Sequence, residues 1–502
     1  MEQEQNQEQP QEQANAVPTF QELGLNEKLL ASVKYAGFKQ PSPVQALAIP
    51  HILAGKDVIG QAHTGTGKTA AFALPTIQNM KGNVGVEVLV ITPTRELANQ
   101  VSDEIYSLGR SNNIRTVTVY GGRSYGQQIG LIKRGAQVVV ATPGRLLDML
   151  KGNKLGDFAP STVVLDEADE MLDMGFLDDI NDILSYLPTD RQTLLFSATM
   201  PPPIRALTER YLFQPETVSV TKDEVTNIDI EQQYYVIDEN ERDHALTRLI
   251  DSLDTVKSIV FCRTKKEVDR LSTMLVAQGY AAKGLHGDLE QDQRDEVLKG
   301  FRGQNIEILI ATDVAARGLN VRNISHVFNY HIPFDPQSYV HRIGRTGRAG
   351  DKGVAITLVT PLEFKELQRI RKSVGTAIAH RFIPSKNEIR SQKIATLIED
   401  ITAQSITDEA CGIYTTLAEQ NDPDQLACRL ISYLQSNQSV KGPENIGLSA
   451  EDITRLLEKQ NRNHSNNRNG RSNSHHRRRS GGGGNRGGGN RSGGGGYNNN
   501  RR

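Results

Sequence analysis

Short apolar runs rich in β-branched residues alternate with helical patterns along most of the chain. The first series of these runs is 86–91, 116–120, 138–141, 162–165 and 193–196. After a polar stretch near residues 221–230, a second series follows at 258–262, 306–311, 326–330 and 354–359. Runs this short and this apolar are typical of parallel strands covered by helices on both faces. The pattern predicts an α/β fold with two doubly wound parallel-sheet domains in tandem, joined by a short linker.

The two ends of the chain have other patterns. Residues 1–18 consist mostly of Gln, Glu and Asn, too polar to offset the entropy cost of ordering, and are predicted to be disordered. Residues 391–460 are predicted to be helical, because apolar residues recur with helical spacing around Leu397 and Leu430. The Arg/Gly/Asn-rich residues 461–502 lack any apolar pattern and are also predicted to be disordered.

These changes of pattern predict six segments. A disordered N-terminus covers residues 1–18, a first α/β domain 19–220, a linker 221–230 and a second α/β domain 231–375. A helical segment then covers 376–460 and a disordered tail 461–502. In the first domain, the motifs with candidate binding and catalytic residues come directly after the strands. Because ligands bind outside the carboxyl ends of strands in open α/β sheets, we expect these residues to converge on one edge.

The formal net charge of −1 conceals an uneven distribution. Residues 461–502 contain ten arginines and no acidic residue, which leaves −11 for residues 1–460. A basic tail on an acidic body indicates that the partner is a nucleic acid.

The cysteines and the lack of long apolar runs indicate in which cellular compartment the protein is expected. Cys262, Cys411 and Cys428 are far apart and form no C-x-x-C pair, so neither a disulfide framework nor a thiolate zinc site is expected. We predict buried structural cysteines in preference to a redox switch. With no signal-peptide pattern and no apolar run near 18 residues, the protein is predicted to be soluble and cytoplasmic.

Residues 62–69 (Ala-His-Thr-Gly-Thr-Gly-Lys-Thr) follow an apolar strand at Ile59 and open a helical stretch. This context is typical of a phosphate-binding loop, in which glycines let backbone N–H groups face phosphate oxygens and the helix N-terminus favours anions. Lys68 would reach the β- and γ-phosphate oxygens, and Thr69 would ligate Mg²⁺. Ala62 stands where the general pattern has its first glycine.

Residues 166–169 (Asp-Glu-Ala-Asp) end the apolar run 162–165 and bring acidic groups to the same edge. Asp166 can hold the hydration shell of Mg²⁺, and Glu167 can orient or deprotonate an attacking water molecule. Four such residues alone are equally compatible with a solvated acidic turn. Their occurrence together with the phosphate loop favours a nucleotide-hydrolysing site.

Residues 341–348 place three arginines and a histidine close together in the second domain. Arginine neutralises charge that develops on a transferred phosphoryl group and does not lose its proton. If Arg345 and Arg348 come from the domain opposite Lys68, hydrolysis requires a closed cleft, which would couple the nucleotide to motion.

Together these motifs resemble those of the DEAD-box RNA helicases of superfamily two, in order, across roughly residues 20–370. The resemblance implies tandem RecA-like domains, with ATP and Mg²⁺ as cofactors and RNA as partner. It assigns ATP binding to Phe20, Phe38, Gln45, Ala62, Thr64, Gly65, Thr66, Gly67, Lys68, Thr69 and Asn320. It assigns RNA binding to Pro93, Thr94, Arg95, Gly122, Thr142, Pro143, Gly144, Arg145, Thr264, Gln291, Arg294 and Thr312.

The resemblance also implies the remaining roles. Lys68 binds the triphosphate, Thr69 and Asp166 hold Mg²⁺ largely through water, and Glu167 is the catalytic base. Arginine fingers are Arg345 and Arg348, and the residues that link the ATP state to RNA binding are Asp169, Ser197, Thr199 and His341. Such enzymes contact the RNA backbone with little sequence preference and separate short duplexes locally.

Three positions depart from the family pattern. Ser42 replaces the usual threonine and keeps the hydroxyl. Arg263 replaces a common asparagine, with no consequence evident from the sequence. Asn320 replaces an aspartate that contacts the ATP ribose, so a modestly weaker nucleotide affinity is expected. None of the three changes removes a catalytic group.

Several alternatives remain at this stage. The helical segment either extends the second domain or forms a homodimer interface, as in bacterial cold-shock helicases of this family, and we favour the interface. The tail is predicted to tether RNA, with a solubilising linker as the alternative. An ATP-gated clamp or annealing chaperone and a DNA helicase are the alternatives to an RNA helicase. Cold adaptation, ribosome assembly and RNA decay are the roles that the resemblance suggests.

Overall fold

The computed structural model describes residues 18–62, 65–82, 85–220, 230–253, 255–303, 305–319, 321, 323–347, 352–375, 377–419, 421–436 and 442–455. Three predicted site residues, Thr64, Asn320 and Arg348, lie outside these ranges, as do residues 1–17, 221–229 and the tail 461–502. Contacts divide the chain into one compact unit that ends at Gly447 and a second that begins at Leu448.

Among its described residues the first unit begins with seven strands and nine α-helices, which together we call the first lobe. The strands are β1 (Val58–Gln61), β2 (Val88–Ile91), β3 (Thr116–Val119), β4 (Val138–Ala141), β5 (Thr162–Leu165), β6 (Gln192–Ser197) and β7 (Glu216–Ser219). The helices are α1 (Glu27–Tyr35), α2 (Pro43–Leu53), α3 (Lys68–Asn79), α4 (Arg95–Leu108), α5 (Tyr125–Lys133), α6 (Pro143–Lys151), α7 (Ala168–Asp173), α8 (Leu177–Tyr186) and α9 (Pro202–Tyr211). All strands are parallel, in the order β3-β4-β2-β5-β6-β1-β7.

In the described ranges from residue 230 to 380, a second series of seven strands and six α-helices forms the second lobe. The strands are β8 (Ile230–Val236), β9 (Ser258–Cys262), β10 (Ala282–Leu285), β11 (Ile308–Thr312), β12 (His326–Asn329), β13 (Gly353–Val359) and β14 (Ala379–His380). The helices are α10 (Arg242–Ser252), α11 (Lys265–Ala277), α12 (Gln291–Arg302), α13 (Asp313–Ala316), α14 (Pro336–Ile343) and α15 (Phe364–Val374). The strand order, β10-β11-β9-β12-β13-β8-β14, repeats that of the first lobe strand for strand.

Apolar side chains on both faces of each sheet explain why these strands form. The central strands β2, β4 and β5 are buried at every position, so their successive side chains enter two separate hydrophobic layers. In the first lobe one layer contains Ile49 and Phe196, and the other contains Leu89 and Ile183. Two comparable layers flank the sheet of the second lobe.

The predicted fold class of two doubly wound α/β domains in tandem is confirmed. Runs predicted at 138–141, 162–165 and 258–262 coincide with β4, β5 and β9. Strands β7, β8, β10 and β14 were not predicted, because their polar and partly exposed residues interrupt the apolar signal. Three of these four strands lie at sheet edges, where one side of the strand is unpaired.

Three helices, α16 (Lys386–Ala403), α17 (Asp408–Ala418) and α18 (Pro423–Ser436), confirm the helical character predicted for the segment after the second lobe. Residues 442–447 then return to that lobe, where Ile446 joins a hydrophobic layer. The buried Arg248 guanidinium donates to the carbonyl oxygens of Pro443 at 2.5 Å, Pro384 at 3.1 Å and Glu444 at 3.3 Å.

The second unit is described from Leu448 to residue 455. Its residues 450–455 are helical, and the Asp452 N–H donates to Ser449 Oγ at 3.2 Å. Ser449 thus caps this helix, as its position before an apolar run predicts.

The prediction of buried cysteines is correct for one residue and wrong for two. Cys262 is buried at the end of β9, and burial raises the pKa of its thiol well above the ordinary value. Cys411 and Cys428 are exposed, because they lie on α17 and α18, which cover little of each other. Within the described ranges, no helix is both long and apolar enough to cross a membrane.

Candidate active site

The loop between β1 and α3 brings backbone and amide groups together at the start of α3. Gly67, the N-cap of α3, has φ 88°, a left-handed conformation that favours glycine. A Cβ at this position would collide with the side-chain amide of Gln45, whose Nε2 donates to the Gly67 carbonyl oxygen at 3.1 Å. Gln45 Oε1 also accepts from the Ser42 N–H at 2.9 Å, so these contacts with described residues use only one of the two amide N–H groups of Gln45.

Lys68 begins α3 and is the most informative residue of the loop. Its side chain is buried, and its Nζ has no hydrogen-bond partner among the described residues. A buried ammonium group without a partner is costly, so this position favours an anionic ligand. Together with Gly65 and Gly67, both at positive φ, the loop fits the phosphates of a nucleotide.

Two carboxylates follow β5 beside this ammonium group. Burial raises the pKa of Asp166 to about 7, the Lys68 charge opposes that increase, and the neighbouring Glu167 adds to it. The Glu167 N–H donates to Asp166 Oδ1 at 3.0 Å. Glu167 itself has φ 53°, an uncommon conformation for a residue with a side chain, which directs the chain sharply into α7.

The residues around Asp166 also fit a hydrated magnesium ion. Thr69 follows Lys68 on α3, and its hydroxyl bonds to Glu104 on α4. Burial raises the pKa of Glu104, and the bond from Thr69 lowers it. Glu104 contributes to the raised pKa of Asp166, so a third carboxylate, absent from the sequence predictions, lies near this site. One hydroxyl and one carboxylate with water is the kind of ligand set that Mg²⁺ accepts.

The predicted coupling residues of the first lobe form one hydrogen-bonded group. Asp169 Oδ2 accepts from the Thr199 N–H at 2.8 Å and from Thr199 Oγ1 at 3.0 Å, and the Asp169 N–H donates to Ser197 Oγ at 3.2 Å. Gln337 on α14 of the second lobe joins this group. Its Nε2 lies 3.1 Å from both Asp169 Oδ2 and Thr199 Oγ1. Gln337 was not among the predicted site residues.

Glu170 forms a second connection between the lobes. This buried carboxylate forms ion pairs with His341 and with Arg317, both from the second lobe. The pKa of His341 is raised overall, because the bond and charge of Glu170 outweigh the lowering effect of burial. Arg317 also contacts Asp173 at 3.2 Å. Glu170 and Arg317 were not among the predicted site residues, although Glu170 directly follows the predicted motif 166–169.

The predicted arginine finger Arg345 is buried in the second lobe. Its Nη1 donates to the Leu319 carbonyl oxygen at 2.9 Å, and its Nε donates to the His341 carbonyl oxygen at 3.2 Å. Burial lowers the pKa of Arg345, while the charge of Glu167 in the first lobe raises it. Arg345 therefore lies on the side of the second lobe that faces the carboxylates after β5.

The predicted RNA-binding residues of both lobes meet across the same cleft. Arg95 Nη1 donates to Gln291 Oε1 at 2.8 Å, and Arg294 forms an ion pair with Glu96 at 2.6 Å. Gly318, at φ 70°, lies so near Thr94 that a Cβ there would collide with its hydroxyl. The two lobes are therefore in direct contact beside the predicted RNA-binding residues.

The remaining predicted RNA-binding residues lie at helix starts after strands, except Gly122, which lies in the turn between β3 and α5. Thr94, Thr142, Thr264 and Thr312 are the N-caps of α4, α6, α11 and α13. Pro93 precedes Thr94, and Pro143 and Gly144 are the first residues of α6. A Cβ on Gly122 would press against the Arg95 guanidinium. Arg145 lies 3.8 Å from the Tyr125 ring centroid and donates to the Arg123 carbonyl oxygen at 2.9 Å.

A phosphate loop and paired carboxylates on one parallel-sheet lobe, facing arginine and histidine from a second lobe of the same topology, define a tandem RecA-like helicase core. The DEAD/DEAH box helicase family matches residues 42–207, and the helicase conserved C-terminal domain matches residues 241–350. The chain belongs to the DEAD-box helicase family.

Curated relatives and a solved structure agree with this assignment. The chain is 52% identical over 436 residues to the DEAD-box ATP-dependent RNA helicase RhpA of Helicobacter pylori, covering 87% of this chain and 86% of that protein. It is 47% identical to CshA of Bacillus cereus, covering 80% and 77%. The structure of S. cerevisiae Dbp5 bound to RNA and ADP BeF3 superposes with a TM-score of 0.67 and 34% identity, covering 72% of this chain and 95% of that one.

Proposed function

We propose that this protein is an RNA-dependent ATPase that locally unwinds or remodels short RNA duplexes. The observation that carries the proposal is the buried Lys68 ammonium, which has no partner among the described residues and lies beside Asp166. A cation in this position requires an anionic ligand, and the second lobe presents Arg345 and His341 to the same region.

Different side chains of the first lobe perform the separate tasks of ATP hydrolysis. Lys68 and the N–H groups at the start of α3 bind the phosphates, and Gln45 with the aromatic pair Phe20 and Phe38, 6.2 Å apart, binds the adenine. Thr69 and Asp166 hold Mg²⁺ largely through water, and that ion neutralises phosphate charge when it is bound. Glu167 accepts a proton from the attacking water molecule.

The charge that develops on the phosphoryl group is stabilised from the opposite lobe. Arg345 supplies a guanidinium group, which keeps its proton at any physiological pH. We propose the same role for Arg348 and a ribose contact for Asn320, which are predictions from the sequence. Because Lys68 and Arg345 belong to different lobes, both can act on one phosphate chain only when the cleft is closed.

Closure also assembles the RNA-binding residues, which supports coupling between the two ligands. Arg95 and Gln291, and Glu96 and Arg294, contact each other across the cleft. Dbp5, at 34% identity, has been solved with RNA and ADP BeF3. Contacts to sugar and phosphate from N-cap threonines and arginines give little sequence preference, and a 2′-hydroxyl contact distinguishes RNA from DNA.

Steady-state ATP hydrolysis without polymer, with RNA and with DNA tests the proposal. We expect stimulation by RNA only, and a loss of about 10³-fold in Glu167→Gln, because the proton acceptor is removed. Glu209→Gln, an exposed glutamate of α9, is the matched control and should keep the wild-type rate. Equal rates with and without polymer would contradict the proposal, and stimulation by DNA would favour a DNA helicase. Strong RNA retention without strand separation would favour a clamp or annealing chaperone.

We also propose that α16–α18 mediate homodimer formation. Large apolar side chains are exposed on these helices, namely Ile398, Ile401, Ile413, Tyr414, Leu417, Leu430, Ile431, Tyr433 and Leu434. A set of this size on neighbouring helices is typical of an interface. Light scattering should give twice the monomer mass, and Ile413→Lys with Leu417→Lys should give the monomer. A wild-type monomer would instead favour a simple extension of the second lobe.

Residues 461–502 are proposed to tether RNA through their ten arginines. Deletion of these residues should weaken RNA binding and reduce its dependence on salt, because fewer phosphate counterions are released. Unchanged affinity and salt dependence would favour a solubilising linker. The six segment boundaries, the cytoplasmic location and a role in cold adaptation, ribosome assembly or RNA decay stay predictions.

A further inference from the structure

Arg263, which replaces the usual asparagine of its motif, joins two loops at the carboxyl edge of the second sheet. Arg263 and Thr264 follow β9, and Thr264 caps α11 by accepting from the Glu267 N–H at 3.3 Å. The neighbouring parallel strand β12 is followed by residues 330–335, which we call the α14 loop because it leads directly into α14. Arg263 lies between these two connections.

Arg263 makes two contacts with the α14 loop and a third with Glu363, which lies outside the loop. Its Nη2 donates to the Ile332 carbonyl oxygen at 3.1 Å and to Glu363 Oε1 at 3.0 Å. The guanidinium carbon also lies 4.6 Å from the centroid of the Phe334 ring, although that ring is largely exposed. A planar, permanently charged group can make all three contacts at once, whereas asparagine is too short and uncharged.

Glu363, which accepts from Arg263, is itself held in place by other residues of the second lobe. Its Oε2 forms an ion pair with the buried Arg242 at 2.6 Å and accepts from the Thr360 N–H at 3.0 Å. Arg242 in turn donates to the Tyr330 carbonyl oxygen at 2.5 Å, at the start of the α14 loop. The loop is therefore held at its first residue by Arg242 and at its middle by Arg263.

The α14 loop determines where α14 presents its side chains to the first lobe. Gln337 contacts Asp169 and Thr199, and His341 forms an ion pair with Glu170. Displacement of the loop would move both contacts together, because α14 is a short rigid helix that begins at Pro336.

We propose that Arg263 is a positioning residue that transmits RNA binding at Thr264 to the contacts of α14 with the ATP-binding lobe. This inference rests on the proposed function of the two lobes. RNA bound at the α11 N-cap orders the turn that contains Arg263, and Arg263 holds the α14 loop in the position that closes the cleft. The α14 loop also contacts α11 through His331 Nδ1 and Glu267 Oε2, which are 3.1 Å apart. Because this contact remains when Arg263 is replaced, we expect only a partial effect.

The full-length protein and a fluorescent single-stranded RNA allow a direct test. The ratio of RNA affinities with and without a non-hydrolysable ATP analogue and Mg²⁺ measures the coupling between the two ligands. We expect Arg263→Met to lower this ratio about tenfold, within the range by which such networks alter coupling. RNA affinity without nucleotide should change far less, and Arg263→Lys should restore part of the ratio because it keeps the charge beside Glu363.

Arg381→Met is the matched control, because Arg381 forms an exposed ion pair with Glu231 on the same lobe and does not contact the α14 loop. An unchanged ratio in Arg263→Met, or an equal decrease in Arg381→Met, would overturn the inference. If Arg263→Met fails to fold, Phe334→Leu decides, since it keeps the ion pair and removes only the ring contact. A wild-type ratio of one would overturn the proposed function and the inference together, whereas a large ratio unaffected by these variants would overturn the inference alone.

Discussion

The first helix after the first strand of each lobe begins with a buried cation, and the two cations have opposite surroundings. Lys68 begins α3 and has no hydrogen-bond partner at Nζ among the described residues. Arg242 begins α10 and is paired with Glu363 at 2.6 Å and with Glu239 at 2.9 Å. Two lobes with one strand order therefore use the same position differently.

The difference teaches how a repeated fold acquires one site and not two. In the first lobe no described side chain forms a hydrogen bond with Lys68 Nζ, so an external anion is expected to complete its neutralisation. In the second lobe the carboxylates of the lobe itself neutralise it, so the position stabilises the fold. The strand order brings the loops to one edge, and the loop residues decide which edge binds a ligand.

The largest expected effect concerns what the second lobe contributes to hydrolysis. If this lobe supplies cations to a site built by the first, Arg345→Gln should lower RNA-stimulated hydrolysis about 10³-fold. Binding of nucleotide should weaken much less, because Lys68 remains. The measurement is single-turnover hydrolysis with saturating RNA, with thermal unfolding to verify that the variant folds and Arg381→Gln as control. A rate close to wild type would show that the second lobe contributes no catalytic charge through this residue.

The comparison of the two cations predicts that loss of Arg242 lowers the stability of the protein, whereas loss of Lys68 prevents nucleotide binding. Arg242→Met should lower the free energy of unfolding by about 3 kcal/mol, because it leaves buried acceptors without their partner. Lys68→Met should leave the free energy of unfolding nearly unchanged and abolish nucleotide binding. Denaturant unfolding and binding of a fluorescent nucleotide measure the two quantities. Equal losses of stability in the two variants would contradict the proposed difference between the lobes.

Much of this architecture could be predicted from the sequence, because the informative residues are local. Central strands such as β4 and β5 carry an uninterrupted apolar run, and the phosphate loop has a short pattern with a single physical purpose. The edge strands β10 and β14 were missed because residues at a sheet edge are partly exposed and lose the apolar signal.

Contacts between distant segments could not be predicted, since no local pattern determines them. Gln337 and Glu104 have ordinary helical positions, and only the fold brings Gln337 to Asp169 and Glu104 to Thr69. Arg263 was recognised as a departure, yet its partner Glu363 lies 100 residues further along the chain. The exposure of Cys411 and Cys428 likewise depends on how little of α17 and α18 is covered.

A smaller effect is expected for the ion pairs themselves. An ion pair between the lobes should contribute to cleft closure, whereas an exposed ion pair within one lobe should not. Glu96 and Arg294 belong to different lobes, and their side chains are 8% and 12% exposed. A double-mutant cycle with Glu96→Gln and Arg294→Gln should give an interaction energy of about 2 kcal/mol in the coupling between RNA and ATP-analogue binding. The exposed pair Lys56–Glu216 within the first lobe should give none. An additive result for Glu96 and Arg294 would mean that their ion pair does not contribute to closure.

The smallest effect concerns pH and the contact between His341 and Glu170, which joins the two lobes. His341 is surrounded by Glu170, Asp169, Arg317 and Arg345, and its raised pKa means that the closed form binds a proton more tightly than the unfolded chain does. The stabilisation is complete below the ordinary value of 6.5 and is lost as the pH rises through the higher pKa of the folded protein. We expect cleft closure, followed by fluorescence transfer between labels on the two lobes, to weaken as the pH rises above 6.5. The change should be modest, because Arg317 still neutralises Glu170 when His341 is uncharged, and His341→Asn should remove it; a pH response that persists in this variant would assign the titration to another group.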